Sequence, residues 1–192
     1  DLIARVYTMP SKFGRVFRVS IRSNPNNPQA SIVSIISRDS DKKLIPSPDN
    51  LKNNLSRYLN ESRLISDAID VVDISIVNLG VSYQVVTSDT SNSDTVIQSI
   101  NVKLNEFFKI ENFQVGTPVI ISDIANLIIN TQDVISLVSL DFRTISGERD
   151  GKEYSNFSNT YASMIRKGVI NPPAGSIIEV RYPEDDIIGT AG

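Results

Sequence analysis

The chain has no cysteine, no histidine and no tryptophan. Without cysteine it can form no disulfide, thiol nucleophile or thiolate metal site. The redox compartment stays open, because a chain without cysteine is compatible with any. Without histidine the side chain whose ordinary pKa lies nearest neutrality is missing, and most nucleophile–base pairs go with it. Carboxylates, lysine and tyrosine remain, and a zinc site is not expected. No run approaches the roughly 18 consecutive apolar residues of a membrane helix. The first residues also lack the basic start, apolar centre and small-residue end of a signal peptide. With Asp1 where an initiator methionine would stand, the chain is expected to be a piece of a longer polypeptide.

What is present is enough for a core. Of 192 residues, 40% are apolar, which suits one large domain or two small ones. Net charge is −3 but unevenly spread. Residues 1–63 hold eleven Lys/Arg against five Asp/Glu, residues 64–133 two against nine, and residues 134–192 six against eight. Such a split can mark nucleic-acid binding. The basic residues, however, alternate with apolar ones in "RVFRVSIRS" (15–23), as they do on the polar face of a strand. Docking of unlike parts, on each other or on a neighbouring subunit, is the preferred reading, with neither nucleic acid nor membrane as a partner.

Periodicity supplies the elements. "IARVYT" (3–8), "VFRVSIRS" (16–23) and "ASIVSIISRDS" (30–40) read as strands. Val16, Val19 and Ile21 cannot share one face, so the second strand predicts a bulge or burial on both sides. Ser47 is placed as the cap of a helix with Pro48 in its first position. Leu51, Leu55, Tyr58 and Leu59 form that helix's apolar stripe, with Lys52, Asn53, Arg57 and Asn60 on the solvent side. A β-branched run over 71–86 predicts one long strand, bulged near Gly80. Asp94 or Ser93 caps the next helix, with Val96, Ile97, Ile100, Leu104 and Phe107 inward. A short strand follows at 119–121. Ser122 then caps a helix burying Ile124, Leu127 and Ile128, and "QDVISLVSLDFRTISG" is a strand with Val138, Leu140 and Phe142 on one face.

The resulting fold class is α+β: a small mixed sheet covered by helices (47–145), flanked by a β-rich amino-terminal segment (1–46) and an extended, irregular carboxy-terminal one (146–192). That last part ends in a strand, "SIIEVRYP", after which "EDDIIGTAG" trails off. It carries Tyr154, Phe157, Tyr161, Met164, Ile177, Ile178 and Tyr182, too many apolar groups for a solvated tail. A segment of this kind orders itself by wrapping a surface, either its own α+β unit or a second copy. A homodimer with Tyr154, Phe157, Tyr161, Ile177 and Tyr182 in its interface is expected.

Chemistry-bearing clusters are few. Asp67, Asp70 and Asp73 would line one side of a helix and could hold Ca²⁺ or Mg²⁺. Asp73 lies in the strand run, so convergence is not expected. "DTSNSD" (89–94) begins like a calcium loop but has Asp94 where glycine belongs and Ile100 where glutamate belongs. Glu184, Asp185 and Asp186 read as a solvated tip, and Asp150-Gly151 as a turn. Asn54, Asn60 and Asn156 sit in glycosylation sequons, a pattern common by chance. No residue is assigned a catalytic, cofactor-binding or metal-binding role, and the chain is not expected to be an enzyme.

One resemblance goes further. "LKNNLSRYLNESRLISDAIDVVDISIVNLGVSYQVV", followed by "VIQSINVKLNEFFKIENFQVGTPVIISDIANLIINTQDVISLV", resembles the carboxy-terminal region of baseplate wedge proteins of contractile-tailed phages. These are the T-even type and the wider baseplate J-like group. The shared pattern is a helix ending in leucine and arginine and an isoleucine-rich strand. A helix ending in an aromatic pair (Phe107-Phe108) follows, then a glycine turn (Gly116), a capped helix (Ser122) and a valine-rich strand. "ARVYTMPSKFGRVFR" and "NPPAGSIIEVRYPEDDIIG" look like the T-even version. The resemblance implies a structural subunit in the virion tail, assembled in the host cytoplasm. It would join a ring around the central hub as a homodimer or oligomer, bind other wedge proteins and help transmit sheath contraction. The competing readings are a carbohydrate- or peptide-binding module, which the scattered aromatics and missing tryptophan do not favour, and a carboxylate hydrolase. The latter needs two acids roughly 5–10 Å apart in a cleft.

Overall fold

The computed structural model describes residues 2–61, 69–158 and 160–192. The chain is α+β and divides into two compact units, Asp1–Ser75 and Ile76–Gly192.

The first unit opens with α1 (Leu2–Thr8), where alternation had predicted a strand. Over so short a window both periods fit. Leu2, Val6 and Met9 follow the helical one, and Val6 and Met9 are buried. β1 (Arg18–Asn24) and β2 (Asn27–Arg38) form an antiparallel hairpin. Its Pro25-Asn26 turn is closed by the Asn26 N–H, which donates to Asn24 Oδ1 at 2.9 Å. The register slips at Ser23/Asn24. That slip lies beyond Val19 and Ile21, which are two residues apart and face inward together, while Val16 packs on the same cluster from ahead of the strand. β3 (Leu44–Ile45) pairs antiparallel with the end of β2. β4 (Ile69–Asp73) runs parallel along β2, Val33 opposite Val71.

Between β3 and β4 lies α2 (Asp49–Asn60). Its stripe of Leu51, Leu55 and Leu59 is buried against Val6, Met9, Val33 and Ile35, with Tyr58 at the margin. The helix therefore packs on the opening strands. Its cap differs from expectation: Pro48 holds the cap position and no side chain bonds the first turn. Ser47 is buried instead, its hydroxyl 3.0 Å from that of Ser37 and its N–H donating to Asp73 Oδ1 at 3.0 Å. Lys52, expected on the solvent side, bridges Asp73 at 2.8 Å and Asp49 at 3.0 Å.

The second unit is built on β5 (Ser75–Thr87), with α3 (Ser93–Phe107), β6 (Val119–Ile120), α4 (Ile121–Ile129) and β7 (Val134–Ile145) after it. The rest of the chain adds β8 (Glu148–Arg149), β9 (Lys152–Glu153), α5 (Tyr161–Met164), β10 (Ile165–Arg166) and β11 (Val169–Ile170). It ends with β12 (Ser176–Glu179), α6 (Pro183–Asp186) and β13 (Ile187–Ala191). β5 is hydrogen-bonded to β7, β12 and β13, and β11 sits between β10 and β6. The tail expected to trail off is thus a parallel partner of β5, Ile187 opposite Val81 and Ala191 opposite Val85. α3 buries Val96, Ile100 and Leu104, and α4 buries Ile124 and Ile128. Asn92 caps α3 in place of Ser93 or Asp94, accepting from the Asp94 N–H at 2.9 Å. Ile120 takes the cap position expected of Ser122. Asp150 (φ 51°) and Gly151 (φ 73°) make the turn between β8 and β9.

The bulge expected at Gly80 lies elsewhere. Gly80 pairs regularly with Arg143, and the slips fall at Gln84/Val85 and Val86/Thr87. A Cβ on Gly80 would stand 3.0 Å from Arg143 Cζ, so the glycine leaves room for that side chain. Gly189 does the same more severely. Its Cβ would fall 2.3 Å from both Cζ and the hydroxyl oxygen of Tyr83, whose ring crosses the glycine. The Tyr83 hydroxyl goes on to donate toward Asn101 Oδ1, 2.7 Å away on α3. Gly189→Ala is expected to cost about 1–3 kcal/mol, the usual range for overpacking. Thermal melting against wild type checks it.

Candidate functional site

The richest gathering of polar side chains closes one part of the second unit. Glu179, at the end of β12, is buried, and Arg181 follows two residues on, at a bend. Glu179 Oε2 accepts from Arg181 Nη1 at 3.2 Å and from Asn78 Nδ2 at 2.9 Å. Asn78 Oδ1 in turn accepts the Ser155 N–H at 2.7 Å, and Arg181 Nε donates to the Glu153 carbonyl at 2.8 Å. The single turn of α6 folds Asp186 back beneath Tyr182. Asp186 Oδ2 accepts the Tyr182 N–H and Oδ1 the Tyr154 hydroxyl, both at 2.8 Å. The Tyr154 and Tyr182 rings meet edge to face at 5.2 Å. Lys152 is ion-paired with Asp185. A cavity of about 350 Å³ opens beside them, lined by Arg143, Arg149, Asp150, Tyr154, Glu184 and Asp185 among others.

These acids are placed to fasten. Both oxygens of Asp186 accept from the protein, and one oxygen of Glu179 accepts from both Asn78 and Arg181. The acidic trio is therefore no solvated tip throughout: Asp186 is 1% exposed, while Glu184 and Asp185 face out. Burial, and then its bond to Asp186, pushes the Tyr154 phenol above its ordinary value. Burial raises that of Tyr83 as well. A folded pKa above the unfolded one gives stability that is full below the unfolded value, about 10 for tyrosine, and lost as pH rises beyond it. Stability of the second unit is expected to fall steeply above about pH 10. Tyr83→Phe, compared with wild type in denaturant titrations at alkaline pH, should flatten that fall.

The five interface candidates differ in exposure. Tyr154 and Ile177 are buried within the second unit, beside Met164 and Ile178. Tyr161 stacks on Phe142 at 6.0 Å and is half-buried, as is Tyr182. Phe157 is exposed. Asp67 lies outside the described residues. Asp70 accepts from Asn24 Nδ2 at 3.3 Å, and Asp73 serves Lys52 and Ser47. Among the described residues, no three acids are grouped so as to hold a metal ion.

Sequence reasoning passed over Asn78 and Glu179. The signal was there: each is a polar residue inside an apolar run, in "IVNLGV" and "SIIEV". A buried polar group needs a partner, but their separation in the chain hides which one.

No family model matches the chain, and no curated protein matches it. Its fold is similar to that of a chain in the anti-feeding prophage baseplate, a cryo-electron-microscopy structure with six-fold symmetry applied. The TM-score is 0.58 over 93% of this chain, at 10% sequence identity. This chain spans 36% of that one's length.

Proposed function

We propose that the chain is a structural subunit of a contractile-tail baseplate, a wedge component that joins the ring around the central hub. The observation that carries the reading is the fold likeness to a baseplate chain over nearly the whole length, in a sequence whose motifs resemble wedge proteins. The polar cluster fits it: Asp186 and Arg181 are bonded to the protein's own backbone and side chains. In this role the chain acts through surfaces. It associates with itself and with other wedge proteins, resides in the virion tail, and passes on the contraction signal. Nothing in this role requires catalysis or a cofactor.

Disruption of the gene tests the reading. Particles made without the chain are expected to lack complete baseplates, and restoring it should restore them. Normal baseplates and normal contraction in its absence would contradict the role.

A further inference from the structure

We propose that the cavity beside the β8–β9 hairpin takes a side-chain carboxylate from a neighbouring protein of the particle, bound by Arg143 and Arg149. The proposal names a ligand for one surface of the chain and rests on the reading above. Register decides which way Arg143 points. Tyr83, whose hydroxyl reaches Asn101 on α3, pairs with Leu140, and successive strand residues alternate faces. Gly80 and its partner Arg143 therefore lie on the face away from α3. Ile145 follows two positions on, and Ile188, opposite Ser82, shares that face. Arg143, Ile145 and Ile188 all line the cavity of about 350 Å³. A Cβ at Gly80 would stand 3.0 Å from Arg143 Cζ and 3.1 Å from both Cγ and Nε, so the side chain is laid across the glycine. Half-buried there, it has no ion pair and no side-chain hydrogen bond among the described residues. A partly desolvated charge left unpaired costs free energy, and a ligand that pairs it offsets that cost.

The hairpin brings a second cation without a counter-ion. Its two rungs set Glu148 opposite Glu153 and Arg149 opposite Lys152, and like charges directly opposite destabilise a strand pair. The basic rung lines the cavity, and the acidic rung does not. Lys152 is ion-paired with Asp185. Arg149 is exposed, with no ion pair and no side-chain hydrogen bond among the described residues. Two guanidinium groups thus meet at one cavity unneutralised, and the planar fork of arginine matches a carboxylate. The acids of the cavity choose between carboxylate and phosphate. Asp186 is committed to Tyr154 and Tyr182, and Asp185 to Lys152. Asp150 and Glu184 remain exposed and, among the described residues, without an ion pair. They repel a doubly charged phosphate more than a singly charged carboxylate, and they attract a basic residue beside the acid. Ile145 and Ile188 suit the methylenes of a glutamate.

Titration of the isotope-labelled 192-residue chain, read by NMR at the arginine Nε–H resonances, decides the matter. The probe is the blocked peptide acetyl-Lys-Glu-Gly-amide. It is expected to shift Arg143 and Arg149 saturably, with a Kd of roughly 1–10 mM for so small a ligand. Acetyl-Lys-Gln-Gly-amide should shift neither, and inorganic phosphate should bind more weakly than the glutamate peptide. Arg149→Gln, at an exposed position of the hairpin, should weaken binding about fivefold or more, and so should Arg143→Gln. Arg166→Gln, outside the cavity lining, should leave it unchanged. Circular-dichroism melting establishes that each variant folds, and Arg149→Gln decides alone if Arg143→Gln does not. No saturable shift at either arginine overturns the proposal. Equal responses to the two peptides, tighter binding of phosphate, or binding indifferent to Arg149→Gln overturn it as well. Shifts of the same resonances on concentrating the chain without peptide assign the cavity to a second copy and also overturn it. A failed titration with a chain found in baseplates removes only this inference. A saturable shift in a chain absent from baseplates removes the functional reading and leaves the carboxylate site standing.

Discussion

Leu55→Ala lowers stability by about 2–5 kcal/mol, the range for emptying a fully buried leucine site. Leu55 is 0% exposed and sits at the centre of the stripe that α2 lays on Val33 and Ile35. Neighbours on both sides are held by strand pairing: β2 is bonded to β1 on one edge and to β4 on the other. The sheet therefore cannot sink into the space the lost isopropyl group would leave, and the cost should lie toward the upper end. Leu59→Ala, 1% exposed one turn further on, should behave alike. Urea unfolding checks both, and a change below about half a kilocalorie at both sites, the size of an ordinary surface substitution, would mean that α2 does not pack as described.

Asp186→Ala is expected to cost about 2–6 kcal/mol. It strands two donors, the Tyr154 hydroxyl and the Tyr182 N–H, and each buried unsatisfied group costs about 1–3 kcal/mol. Asp186→Asn keeps an acceptor for one donor and should cost about half as much. The distinguishing readout is amide hydrogen exchange. The alanine variant should speed exchange at Tyr182 and along β13 before the first unit is affected. Unchanged exchange at Tyr182 would show that Asp186 does not hold α6 in place.

Long amphipathic elements were legible in the sequence, and local caps were not. The stripes of α2, α3 and α4 emerged from spacing alone because each spans enough residues to separate the 3.6 period from its rivals. α1 has seven residues, too few for that separation, and was read as a strand. Ser47 and Ser93 were placed as caps on good grounds of residue type. Their hydroxyls are engaged by Ser37 and Thr87 instead, partners on the preceding strands that residue type alone does not point to. The same holds for the carboxy-terminal segment. Its apolar content led only to the expectation that it orders on some surface, whereas β13 pairs with β5 across a hundred residues of chain, and no local pattern encodes such a pairing. The fastening cluster was illegible for this reason as well. Asn78 and Glu179 are each odd residues in apolar runs, and their bond of 2.9 Å exists only once β5 and β12 are neighbours.

The central claim is that the chain serves by its place in a particle. Cryo-electron microscopy of purified contractile particles containing the chain, with a compact tag inserted at the exposed Asp150-Gly151 turn, tests this most directly. The account predicts tag density repeated around the tail axis within the baseplate ring, at a radius outside the hub. Tag density on the sheath or the head, or particles with complete baseplates and no tag at all, would contradict it.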